Sequence, residues 1–158
     1  MVGWVALSTT WVELTADTLR ARLDALYPGE FLPPREHGTF VIEGPIERVQ
    51  FMIQSAIADA KGMFMLTSVP RPYGEVSDFA EHLEDRELRE VALAQTAWLS
   101  VELIDRTERS DDADRFIGKV LAELAPTDAA ILIHPSALAC RRFDDGVRRA
   151  LASGGLFG

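Results

Sequence analysis

Few side chains in this chain have the chemistry to act on or hold a ligand, and they fall in two places. The first is the stretch "SVPRPYGE", residues 68–75, where Arg71, Tyr73 and Glu75 follow two prolines. Pro70 and Pro72 fix their own φ and hold Val69 and Arg71 extended. A strand that ends in Pro-x-Pro is stiff, so it presents Arg71 and Tyr73 instead of leaving them mobile. Arg71 then suits a carboxylate or phosphate, and Tyr73 suits stacking or a hydrogen bond. The plainer reading is a rigid strand-to-helix connection, with Tyr73 packed on the core and Arg71 paired to a local acid.

The second place is His134, with Cys140 six residues on and beside Arg141 and Arg142. His134 ends an apolar run, at the carboxyl end of a strand, where open sheets often place ligands. Two neighbouring cations would lower a thiol's pKa, and a Cys–His pair would be a nucleophile and its base. The plainer reading is a structural histidine and an inert thiol. No catalytic residue is assigned, and the binding candidates are Arg71, Tyr73, Glu75 and His134.

Other chemistry lacks its signature. His37, His82 and His134 are far apart, and no Cys-x₂-Cys or His-x₃-His spacing exists, so no metal is expected. There is no Gly-rich phosphate loop, no G-x-S-x-G elbow and no dinucleotide fingerprint, so no cofactor is expected. Asp78, Glu81, Glu84, Asp85, Glu87 and Glu90, with Glu75, form either an acidic docking face or the solvated side of one helix. Trp98 and Phe64 could line a groove, but aromatics on strands usually serve the core.

The totals bound the class. The chain has 158 residues, 47% apolar and 26% charged, enough for one globular domain, 1–158. Its formal net charge of −9, with no Lys/Arg run longer than two, argues against nucleic acid and anionic membranes. A lone cysteine excludes an internal disulfide and suits the cytoplasm. The N-terminal apolar stretch has no basic residue before Arg20, unlike a signal peptide, and no run approaches a membrane span.

The elements that must position these residues follow from periodicity. "VGWVAL" (2–7) reads as a strand. Thr15 caps a helix carrying Leu19, Leu23 and Leu26 on one face. "TFVIEG" (39–44) is a strand. Residues 46–61 fit either a helix or a strand, since Val49, Phe51 and Ile53 alternate with polar residues. The hairpin is preferred, with "MFMLTSVP" returning. One long helix is expected over about 77–94, capped by Ser77, then the strand "TAWLSVELI" (96–104). A helix with Asp111 and Asp112 at its start, the last strand "AAILIHP" (129–135) and a helix from about 143 complete the chain, with "SGGLFG" as its tail.

This order predicts an α+β fold with a ferredoxin-like βαββαβ core, an extra strand and a C-terminal helix–strand–helix extension. One mixed sheet with helices mainly on one face is expected, with a parallel crossover into "AAILIHP".

From "FVIEG" onward the chain resembles an uncharacterised bacterial α+β domain family of unknown function. The resembling pieces are "QFMIQS", "SVPRPY", "REL", "TAWLSVEL", "FIGKVLAEL" and "FDDGVRRALASG". The resemblance covers about residues 40–155 and implies a β-hairpin before "PRPY". Such sequences often carry a histidine two residues before the "AWLSV"-type strand, where this chain has Gln95. The family implies no activity or ligand. The expectation is therefore a non-catalytic binding or protein-interaction module, with a protein partner or a homodimer through a sheet edge. The alternatives are a small enzyme using His134 with Cys140 or Arg71/Tyr73, and an acidic immunity- or antitoxin-like protein masking a basic partner.

Overall fold

A computed structural model describes residues 2–28, 41–43, 49–55, 62–74, 76–104, 110–137 and 139–157. Glu75, expected to take part in binding, and His37 lie outside the described residues.

Among the described residues, seven strands form one open sheet: β1 (Val2–Ser8), β2 (Val41–Glu43), β3 (Val49–Ser55), β4 (Gly62–Val69), β5 (Ala97–Leu103), β6 (Ile131–His134) and β7 (Ala139–Arg142). The α-helices described there that pack on it are α1 (Ala16–Leu26), α2 (Val76–His82), α3 (Arg86–Ala94), α4 (Asp111–Leu124) and α5 (Asp145–Ala152). The strand order is β2-β3-β4-β5-β1-β6-β7. The fold is α+β, and the hairpin reading of the segment before "PRPY" holds. β3 and β4 pair antiparallel from Val49↔Ser68 to Ser55↔Gly62.

Three expectations about the sheet are corrected. Every neighbouring pair is antiparallel, so the sheet is not mixed. β5 and β6 do run the same way, through α4, but β1 lies between them and bonds to both. The ferredoxin-like order also fails. A split βαβ would place another strand between β4 and β5, yet these two are direct neighbours, with Val69↔Trp98 and Phe64↔Leu103.

Nor do the helices gather mainly on one face. β1 is apolar on both sides, with Trp4 and Ala6 on one and Val5 and Leu7 on the other, so both faces need cover. On the first face Leu19 and Leu23 of α1, Phe116, Ile117 and Leu121 of α4 and Leu151 of α5 bury Trp4, Phe64, Leu99 and Val101. Phe64 and Phe116 meet with ring centroids 4.3 Å apart. On the second face α2 and α3 cover Val5, Leu7, Ile131 and Ile133 through Val76, Leu88 and Ala92.

The single long helix expected over 77–94 is two helices. Asp85 breaks it: its carboxylate accepts the Leu88 N–H at 3.0 Å and caps α3, while Arg89 Nε donates to the Leu83 carbonyl left at the break. The Thr15 cap forms as expected, in a reciprocal box with Thr18. β6 is not the last strand, because "ACRR" adds β7 at the edge. β7 is four residues long and carries Arg141 and Arg142, features that resist edge-to-edge pairing. Arg142 also bonds Asp85 at 2.9 Å, tying this edge to α3.

Candidate functional site

The end of the sheet where β4 leaves and β5 begins carries the "SVPRPYGE" loop. Val69 lies opposite Trp98, and Pro70 and Pro72 carry the chain away to Tyr73. The Tyr73 carbonyl accepts the Val76 N–H at 3.1 Å, which closes the turn into α2. Arg71 is exposed and Tyr73 is half-buried. The Tyr73 ring meets Trp98 edge-on, centroids 5.3 Å apart and planes at 82°, a favoured aromatic geometry. Phe64 belongs to the core, whereas Trp98 is half-exposed beside Tyr73.

Gln95 sits behind this loop and was not a candidate from sequence. It is the C-cap residue of α3 and 4% exposed. Its Oε1 accepts the Tyr73 backbone N–H at 3.1 Å, so the loop is fixed to the start of β5. That bond orients the amide and leaves Nε2, also buried, with no acceptor among the described residues. Trp11 Nε1, just beyond the end of β1 that pairs with Ala97, is a second buried donor without an acceptor there. Orphaned buried donors are rare in folded proteins and call for an explanation.

His134 lies elsewhere. In β6, Leu7 opposes Ile131 at the loop end of the sheet, so His134, three residues on, is roughly 10 Å along the strand. It is 4% exposed. Its Nδ1 accepts the Ala137 N–H at 3.2 Å and lies 3.2 Å from the Ser136 hydroxyl. A backbone donor on Nδ1 places the proton of the neutral ring on Nε2. The ring stands edge-on to Trp4, centroids 5.0 Å apart.

Cys140 does not join it. Cys140 opposes Ile133 and packs with the α2–α3 face, while His134 opposes Ala139 and points to the face that holds Trp4. Burial pushes the thiol's pKa up, ahead of a smaller lowering by the Arg141 backbone N–H. The expected activation of Cys140 by Arg141 and Arg142 is therefore absent. Arg142 is turned instead to Asp85 and Glu87. His134 and Cys140 are therefore not brought together as a nucleophile and its base, whereas Tyr73 and Cys140 both pack against the α2–α3 face.

Asp78, Glu81, Glu84, Asp85, Glu87 and Glu90 are all exposed on α2, α3 and the break between them. Asp85 is held below the usual carboxylate range, first by the Leu88 N–H and then by Arg142.

No family model matches this chain, and no curated protein or solved structure is significantly similar to it.

Proposed function

We infer that this chain is a non-catalytic binding or protein-interaction module whose recognition edge is the "SVPRPYGE" loop. The observation that carries this reading is Gln95. One end of its amide is spent fixing Tyr73, and the other is a buried donor lacking an acceptor among the described residues. A partner offering a carbonyl or carboxylate oxygen between the loop and the start of β5 would satisfy it. Exposed Arg71 adds a charge of the right sign, and the Tyr73–Trp98 pair adds apolar area. A linear peptide carrying an acidic or C-terminal carboxylate meets these demands.

The test is selection from a displayed library of linear peptides on the folded chain. Counter-selection uses a variant carrying Arg71→Ala and Tyr73→Ala. Enrichment of carboxylate-bearing peptides that the variant does not retain supports the reading. Equal enrichment on both proteins contradicts it.

A further inference from the structure

The segment after α5 is built to place one ring. Ser153 and Gly154 turn the chain, with Gly154 at φ +85°, a conformation that favours glycine. Gly155 passes so close to α5 that an added Cβ would lie 2.7 Å from the Ala150 carbonyl oxygen. Leu156 is exposed, yet Phe157 is 3% exposed. No backbone hydrogen bond holds Leu156 or Phe157 among the described residues. Among the described residues, burial of its side chain is what keeps Phe157 in place.

Phe157 lies flat on Trp4, with centroids 4.2 Å apart and planes within 14°. Gly118 of α4 leaves room beside it: a Cβ there would be 3.5 Å from Phe157 Cε2 and 3.0 Å from Leu151 Cδ2. His134 stands edge-on to the same indole. Trp4 is 2% exposed, and its Nε1 donor is buried with no acceptor among the described residues. The phenyl ring fills the stacking position but offers nothing to that N–H.

We propose that the Trp4 face covered by Phe157 is a binding site for a small, neutral aromatic compound bearing a carbonyl group, and that Phe157 occupies it when that compound is absent. The ligand's ring replaces the phenyl ring on Trp4, and its carbonyl reaches the indole N–H. Neutrality follows from the surroundings. The site is closed to water, the chain carries a net charge of −9, and Asp114, one helical turn before Gly118, is itself buried. The site is distinct from the Tyr73 edge, being on the opposite face and at the other end of β6.

The test uses benzamide, benzoate and toluene as probes on the full chain, read at the three indole N–H signals by NMR, with Trp4 assigned through Trp4→Phe. Phe157→Ala should bind benzamide more tightly than the unaltered protein by on the order of tenfold, with a downfield shift of the Trp4 N–H alone. Benzamide should also exceed toluene and benzoate, and Trp4→Phe in the Phe157→Ala background should erase its advantage over toluene. Should Phe157→Ala not fold, Phe157→Leu keeps the apolar fill. In the unaltered protein, millimolar benzamide should shift the Phe157 ring signals. An unmoved Trp4 N–H in the opened variant, or unmoved Phe157 signals in the unaltered protein, overturns the proposal. So does binding of toluene or benzoate as tight as that of benzamide.

Discussion

His134 and Cys140 stand on opposite faces of the sheet although they are only six positions apart in the chain. The antiparallel turn between β6 and β7 sets Cys140 against Ile133 and His134 against Ala139. Successive side chains of a strand point to opposite faces, so no rotamer change joins the two. With its pKa raised by burial, the thiol should alkylate more slowly than a free cysteine near neutral pH. Iodoacetamide labelling followed by mass spectrometry checks this. His134→Gln should leave the rate unchanged; a slower rate in that variant would show a coupling the fold does not provide.

Arg148 ties two helices together. From α5 its guanidinium donates to the carbonyls of Ala122 at 3.0 Å, Ala125 at 2.8 Å and Pro126 at 2.8 Å, all at the end of α4. It also lies over the Phe143 ring, 4.4 Å from the centroid. Last-turn carbonyls need such donors, and a cation there suits the helix dipole. Arg148→Met keeps much of the stem and removes the donors, and should cost about 2–4 kcal/mol by urea denaturation. A loss below about 0.5 kcal/mol would mean that water replaces the guanidinium freely.

Acid should loosen the α3 cap. The folded-state pKa of Asp85 lies below its unfolded value, so its contribution to stability is present above the unfolded pKa and is lost as pH falls through the folded one. The loss therefore falls below about pH 4. Asp85→Asn retains a capping oxygen but not the charge. Its urea midpoint should drop less steeply with acid than that of the unaltered chain, and parallel curves would remove Asp85 from the account.

Gly3 is required by close approach between strands. A Cβ on it would lie 2.5 Å from Glu102 Cγ and 2.7 Å from the Val101 carbonyl oxygen. Gly3→Ala should destabilise the protein by about 1–3 kcal/mol. Adding Glu102→Ala should recover only part of that, because the backbone oxygen remains. Full recovery would show that the side chain was the sole obstacle.

What was legible in the sequence was local. Alternation of Val49, Phe51 and Ile53 with polar residues identified β3, and alternation through 97–103 identified β5. Thr15 and the apolar stripe through Phe116, Val120 and Leu121 identified α1 and α4. Strand order was not legible, because nothing in "TAWLSVELI" states that it lies between β4 and β1. The break at Asp85 was hidden among acids that resemble a solvated face, although an aspartate three residues before Leu88 is a cap signal. β7 is too short for alternation to show. For the candidate site, Pro-x-Pro marked Arg71 and Tyr73. A glutamine at a helix end and a phenylalanine after two glycines carry no such mark, so Gln95 and Phe157 emerge only from packing.

The most direct test of the Tyr73 edge follows the Gln95 side chain itself. A carboxylate-bearing peptide selected on the folded chain is titrated into ¹⁵N-labelled protein while the Gln95 Nε2 protons and the Tyr73 amide are observed. The predicted result is a downfield shift of the Gln95 Nε2 protons, as they gain an acceptor, with loss of binding in Arg71→Ala. A bound peptide that leaves the Gln95 side-chain amide unmoved would contradict the account.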